Sequence, residues 1–369
     1  MARLSSLQVL QLRNLSQVDL RFQPGINLFV GPNGAGKTAM LEAVHMLARG
    51  RSFRSAQASK VIQHGHEQLV VRAEVVSSRS GKMAQLAVQR PRRGPLLAKL
   101  NGEKVANIAE LAQHLPLQVM LPNVSDLIFA GPSERRSWLD WGVFHVEHGH
   151  LAAARRYGTL LRQRNAQLKQ SDGSNDSVLG TFTEQLVAAA KPVSQARDHY
   201  FAALVPVIRS LASAIDPMLS KISFDLRVNG TKATDSLGNL LAESLLRDVK
   251  LGVTHYGPHR CEVMPLIDGR SASERLSRGQ GKSLALAMKI AQATVLKERA
   301  QESTLFLMDD AGAELDRERN RAIFETLERL NAQVLATSTD ELLRERGALP
   351  KASVVFHVKQ GRVTPAESS

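Results

Sequence analysis

The sequence predicts an α/β fold in which a phosphate-binding head is interrupted by an α-rich insertion. Three observations predict it. An apolar run over residues 26–30 stops at a glycine-rich segment, residues 31–38. Helical periodicity replaces alternation after about Pro116, and short apolar strands return beyond Gly257. With 369 residues, 43% hydrophobic and 22% charged, the chain can bury a sizeable core. Its longest apolar stretch, residues 284–296, is broken by Lys289 and falls short of the roughly 18 to 20 residues needed to cross a bilayer.

The elements follow in order. Leu7, Val9, Leu10 and Leu12, then Val18, Leu20 and Phe22, mark two strands before the run at 26–30. After the glycines, Met40, Leu41, Val44 and Leu47 recur at three- and four-residue spacing, so a helix follows. Residues 68–76 and 85–89 alternate as strands, and Asn101-Gly102 signals a hairpin. Leu151, Ala154, Gly158, Leu161 and Leu168 form one helical face. Phe182, Leu186, Ala189, Val193, Ala196, Tyr200, Leu204, Val207 and Leu211 form another, beyond a polar loop at 171–176. Together they predict an antiparallel helical hairpin whose helices have about 20 residues and rise about 30 Å each. Pro192 and Pro206 should bend the second helix. Strands at 305–308, 334–336 and 354–358 close the pattern. The expected division is a discontinuous head, residues 1–115 and 251–369, around a helical lobe at 116–250.

Gly31-Pro32-Asn33-Gly34-Ala35-Gly36-Lys37-Thr38 fits the phosphate-loop pattern in full and stands between strand and helix, as that loop must. Its glycines let backbone N–H groups converge on phosphate oxygens at a helix N-terminus. Lys37 supplies a point charge, and the Thr38 hydroxyl can ligate Mg²⁺. By chance such a match arises on the order of once per hundred chains of this length. The apolar run at 305–308 ends in Asp309 and Asp310, an acid pair suited to orienting a Mg²⁺ shell and polarising a water. Leu276-Ser277-Arg278-Gly279-Gln280-Gly281-Lys282 precedes another helical run and reads either as a second anion site, best used by a second subunit, or as a plain helix cap.

Charge narrows the partners. Lys and Arg number 48 against 35 Asp and Glu, a net charge of +13, with clusters at Arg90, Arg92, Arg93; Arg135, Arg136; Arg155, Arg156; and Arg162, Arg164. That excess favours a polyanion over a merely soluble basic protein, and charge by itself does not choose between DNA, RNA and a membrane surface. Aromatics are 4% of the chain, so duplex or junction backbone suits it better than base stacking. Trp138 and Trp141 read as packing residues. His145, His148 and His150 have no cysteine partner and no second acidic cluster at ligand spacing, which argues against a metal site. The single Cys261 and an N-terminal stretch without a secretory apolar block set the expectation of a reducing cytoplasm.

Phosphate loop, helical insertion, LSRGQ, then Asp-Asp with Ala313-Glu314-Leu315-Asp316 is an order that resembles the ATP-binding-cassette heads of the SMC superfamily. Within that superfamily the chain is similar to the RecF family. GRSFR at 50–54, GPSERRSWLDW at 131–141, QRNAQL at 163–168 and GPHR at 257–260 carry the resemblance from end to end. It implies an SMC-like cassette head that holds ATP on residues 31–38, with Thr38 and Asp309 on the Mg²⁺ side. Asp310 stands where many cassettes carry a catalytic Glu. Ser277, Gly279 and Gln280 would close on the ATP of the partner in an ATP-dependent homodimer, and residues 313–316 would couple the two sites. Gln118 is the candidate Mg²⁺-sensing glutamine. Asp for Glu at 310, and Ser338-Thr339-Asp340 in place of a switch His, imply slow hydrolysis used as a timer. The implied role is binding DNA near duplex to single-strand junctions at gaps and helping RecO and RecR load RecA. Arg51 and Arg54 on the head and Arg155, Arg156 and Arg162 on the helical lobe are the DNA-contact candidates. His259 fits a dimer contact or a structural turn equally. A transporter nucleotide-binding subunit would have a much shorter central segment, and a structural SMC-like tether would need arms of hundreds of residues.

Overall fold

Alternation over the first hundred residues produces strands with one buried face. A computed structural model describes residues 3–171, 176–228, 231–232, 236–311, 316–339 and 354–366. In it β1 (Arg3–Leu12) pairs antiparallel with β2 (Leu15–Arg21) and, across a register irregularity between Leu4 and Ser6, with β4 (Gln68–Val76). β5 (Met83–Pro91), β6 (Leu97–Leu100) and β7 (Glu103–Lys104) extend the sheet in the order β2-β1-β4-β5-β6-β7. The hairpin expected at Asn101-Gly102 is there, with φ of 51° and 86° as its tight turn requires.

A second sheet has central strands, at residues 26–30, 305–308 and 333–338, buried on both faces. β3 (Ile26–Val30), β8 (Leu117–Met120), β13 (Leu305–Met308), β14 (Gln333–Ser338), β15 (Val354–Lys359) and β16 (Arg362–Pro365) take the order β16-β15-β3-β14-β13-β8. Its pairs are parallel except the β15–β16 hairpin. Helix α1 (Lys37–Arg49) contacts β1, β4 and β5 of the first sheet and β14 of the second. Covered from both sides, it buries every residue from Ala39 to Ala48. Leu7, Val9, Leu41, Val44, Leu69, Val71, Leu307 and Leu335 share the resulting core. α2 (Ile108–His114) opens on a capping box made by Asn107 and Glu110, and α11 (Arg317–Arg329) on an Asp316 cap.

The chain divides into two compact units, Met1–Val124 with Ala293–Ser369, and Ser125–Gln292. These bounds differ from the 115 and 251 expected. β8 lies beyond Pro116 yet belongs to the parallel sheet, because a four-residue buried strand carries no period that would announce it. The second boundary falls inside helix α10 (Arg278–Ala300).

The second unit holds α3 (Asp126–Phe129), α4 (Pro132–Val146), α5 (His150–Leu168), α6 (Ser177–Ile215), α7 (Leu237–Glu243), α8 (Leu245–Leu251) and α9 (Ala272–Arg275). It also holds an antiparallel sheet of β9 (Ile222–Val228), β10 (Thr231–Lys232), β11 (Cys261–Ile267) and β12 (Arg270–Ser271), ordered β10-β9-β11-β12. α5 packs on α6 as the expected hairpin, but α6 has 39 residues rather than about 20, some 58 Å at 1.5 Å per residue. Pro192 and Pro206 lie inside it. Its buried face keeps Leu186, Ala189, Val193, Tyr200 and Leu204, and takes Arg197, Ile208 and Ala212 where Ala196, Val207 and Leu211 were expected. A period of 3.6 residues per turn does not match a heptad, so the buried face shifts by one residue at those three positions.

Candidate phosphate-binding site

The loop from β3 to α1 is shaped by its glycines. A Cβ on Gly31 would lie 2.1 Å from the carbonyl oxygen of Val358 in β15, so only glycine lets the loop leave the sheet here. Gly34 and Gly36 take φ of 78° and 118°, which L side chains rarely adopt. Gly36 stands at the N-cap of α1 with no side-chain cap, so the first-turn N–H groups and the helix dipole are offered to an anion. Lys37 Nζ donates to the carbonyls of Gly31 (2.7 Å) and Pro32 (3.0 Å). Burial lowers its pKa from the ordinary lysine value, against the opposing pull of the Asp310 and Asp309 carboxylates.

Strand order brings the acids to the loop. β13 lies two strands from β3, and Asp309 N–H donates to the Met120 carbonyl just beyond it (3.0 Å). Thr38 Oγ1 donates to Asp309 Oδ1 at 3.1 Å across 271 residues of sequence. With its proton spent on the carboxylate, the hydroxyl keeps its lone pairs for a cation, the donor set a Mg²⁺ ion and its waters take. Lys37, Thr38, Asp309 and Asp310 line one cavity of about 590 Å³ with Asn33, Gly34 and Gly36 of the loop. That size suits a small-molecule ligand.

Three polar wall residues were not expected. Asn14, in the turn between β1 and β2, donates from Nδ2 to the carbonyls of Gly34 (3.1 Å) and Ala35 (3.0 Å). Arg13 beside it is held by Glu42 of α1 through two bonds, Nε to Oε2 at 2.9 Å and Nη2 to Oε1 at 2.7 Å. Thr337 at the end of β14 donates to Asp309 Oδ1 at 2.7 Å. An Asn at a turn and a Thr in an apolar strand are ordinary, and nothing local singles either out. Thr339, at the position of the absent switch His, also lines the cavity.

Two expectations shift. Arg54, read as a DNA contact, is exposed and also lines the cavity, on a loop whose Arg54 and Ser55 N–H groups both donate to Ser52 Oγ at 2.9 Å. Gln118 is buried in β8 opposite Phe306 and is not among the residues that line the cavity, because the acids follow the strand end, past Met308 and Met120. The coupling loop at 313–315 and Asp340 lie outside the described residues.

The chain matches the RecF/RecN/SMC N terminal domain over residues 3–364. It is 39% identical over 363 residues to the DNA replication and repair protein RecF of Azotobacter vinelandii, with 98% of each chain covered. It is 37% identical over 364 residues to that of Pseudomonas entomophila, again with 98% of each covered. The chain belongs to the RecF family. That makes it one of the DNA replication and repair proteins. A solved structure described as the recombination mediator protein RecF-ATP in the RecFOR pathway superposes with a TM-score of 0.85 at 26% identity, covering 99% of both chains. An Smc head bound to the C-winged helix domain of ScpA superposes at 0.58 and 14% identity over 98% of this chain and 96% of that one, a likeness of fold alone. The fold is an SMC-type cassette head.

In this RecF-family chain the LSRGQ segment opens α10. Ser277 is exposed; its N–H donates to Gln280 Oε1 (2.9 Å), while Gln280 N–H donates to Ser277 Oγ (3.3 Å), a reciprocal cap. Arg278 lies over the Phe129 ring, 4.7 Å from its centre. Gly281 packs so close to that ring that a Cβ would sit 2.3 Å from it.

The other RecF-type motifs converge inside the second unit. Arg164 is fully buried, donating to Asp248 Oδ2 (2.8 Å), Thr254 Oγ1 (2.7 Å) and Thr183 Oγ1 (3.0 Å). Asn165 Oδ1 accepts from Thr254 N–H and Oγ1. His259 has Nε2 against the Thr254 carbonyl (3.0 Å), so Nε2 carries the proton and Nδ1 accepts from Tyr157 O–H (2.6 Å). Burial pushes the His259 pKa down to about 4. Arg197 holds both Asp140 oxygens and the Pro258 carbonyl. These bonds give GPHR a structural role within its own chain. Two basic clusters lose a member to the interior, Arg135 to Glu262 (2.7 Å) and Arg164 to Asp248, whereas Arg51, Arg155, Arg156 and Arg162 are exposed. Trp138 and Trp141 are buried, which leaves them no face for base stacking.

Proposed function

We propose that this chain is an ATP-dependent DNA-binding protein of recombinational repair in the RecFOR pathway. One observation carries the reading: the Thr38–Asp309 hydrogen bond, which joins phosphate loop and acid pair in one cavity with Lys37 and Asp310. ATP would lie with its phosphates on residues 31–38, and Thr38 and Asp309 would hold Mg²⁺. Bound there, Mg²⁺ would neutralise phosphate charge. Asp310 orients the attacking water. As the shorter acid it suits a weak ATPase, a timer rather than a motor. Ser277, Gly279 and Gln280 meet the ATP of a second copy, so nucleotide drives homodimer formation. DNA near duplex to single-strand junctions at gaps is the substrate, with Arg51, Arg155, Arg156 and Arg162 exposed for its phosphates, and RecO, RecR and RecA are the partners served.

Sedimentation of the purified chain with and without ATP and gapped DNA tests this. Dimers that need ATP, are strengthened by DNA and are lost in Ser277→Arg without loss of ATP binding are expected. Dimers independent of nucleotide would sink the reading.

A further inference from the structure

Thr337 is the fifth residue of β14, the strand between β3 and β13, and is 1% exposed. Its hydroxyl has one proton, and that proton goes to Asp309 Oδ1 at 2.7 Å. Thr337 Oγ1 in turn accepts the Asp310 N–H at 2.9 Å, and the Thr337 carbonyl accepts the Ala311 N–H at 2.8 Å. One residue therefore ties three successive positions of the acid turn. Asp310 sits in that turn at φ 56°, a conformation unfavourable for a residue with a Cβ, so the turn needs outside support to keep it. Because Asp309 Oδ1 accepts from both Thr38 and Thr337, its carboxylate is held by two hydroxyls, one from the first turn of α1 and one from the end of β14. Oδ2 carries no hydrogen bond among the described residues.

We propose that Thr337 is a positioning residue for a Mg²⁺–nucleoside triphosphate: it holds the Asp309 carboxylate and the Asp310 backbone in a single arrangement, so that the cation site stands formed before the ligand arrives. The proposal rests on the nucleotide reading of the cavity. Hydrogen bonds to a carboxylate are about twice as strong as neutral ones, so removing one hydroxyl loosens the acid without emptying the phosphate loop. Val fits the same space in a strand and lacks the hydroxyl; Ser restores it.

The test is binding of a fluorescent ATP analogue, titrated in EDTA and then against rising Mg²⁺, on wild type, Thr337→Val, Thr337→Ala, Thr337→Ser and Lys37→Ala, with thermal melting of each. Thr337→Val and Thr337→Ala should match wild type in EDTA and need about tenfold more Mg²⁺ to tighten binding, and Thr337→Ser should return to within about twofold of wild type. A wild-type Mg²⁺ midpoint in Val and Ala, or a Ser variant as impaired as Val at an unchanged melting temperature, overturns the proposal. Should Val disturb the strand, Ala and Ser decide it. Wild type and Lys37→Ala binding the analogue equally would instead remove the nucleotide reading itself.

Discussion

Asn14 and Gly34 meet across 20 residues: the Asn14 amide donates to the Gly34 carbonyl at 3.1 Å, and to Ala35 at 3.0 Å. The Asn14 carbonyl in turn lies against Gly361, where a Cβ would fall 2.0 Å from it, and Gly361 N–H donates to the Ala35 carbonyl at 2.8 Å. The phosphate loop is thereby braced by two turns from different sheets, β1–β2 and β15–β16.

Removing the first brace should loosen the loop without unfolding the chain. Asn14→Ala is expected to weaken ATP binding about tenfold, the scale of one or two modest hydrogen bonds. Asn14→Asp should not rescue it, since an ionised carboxylate donates no hydrogen bond. Isothermal titration of both variants checks this; wild-type affinity in Asn14→Ala would show the brace to be idle.

The second brace is steric. Gly361→Ala must adopt φ 77° and displace the Asn14 carbonyl, at a cost of about 1–3 kcal/mol, with ATP affinity falling too. Urea unfolding together with ATP titration would detect both losses, and a neutral variant would mean that the turn yields freely.

In the second unit, Arg164→Met leaves Asp248 buried without its cation and should cost about 3–5 kcal/mol. The double variant Arg164→Met, Asp248→Leu should cost less than the two single changes together, because no charge is then stranded. An additive pair in denaturant unfolding would contradict this coupling.

Acid should destabilise the fold through two histidines, His45 buried and His259 partly buried. Burial pushes His45 and His259 down to about 4, each beside arginines that oppose a further positive charge. Unfolded histidine titrates at about 6.5, so below that pH the unfolded chain binds more protons, and stability falls as pH drops towards 4. At pH 5 each should have lost about 1–2 kcal/mol. Melting curves from pH 7 to 5 should flatten in His259→Gln; an unchanged slope would refute its share.

Changing Arg155 and Arg156 to Ala should weaken DNA binding alike for all sequences and flatten the dependence of log affinity on log salt by about one unit per lost phosphate contact. Filter binding over a salt series measures it, and an unaltered slope would place the DNA surface elsewhere.

The phosphate loop was legible in the sequence because its physics is local: glycine spacing, the helix start at Lys37 and the strand before it lie within fifteen residues or so of one another. The strand at 305–308 with its terminal acids, and the Asn101-Gly102 hairpin, were legible for the same reason. Arg164 could have been recognised as buried, since Tyr157, Leu160, Arg164 and Leu168 keep one helical spacing; its charge argued for the surface, and the stripe prevailed because Asp248, 84 residues on, neutralises it. What the tertiary structure alone decided is which residues brace the site. Asn14, Gly361 and Thr337 reach it because β14 is inserted between β3 and β13 and two distant turns close over the loop. Strand order is set by the burial of whole faces against α1, a sum over many side chains that no local period records.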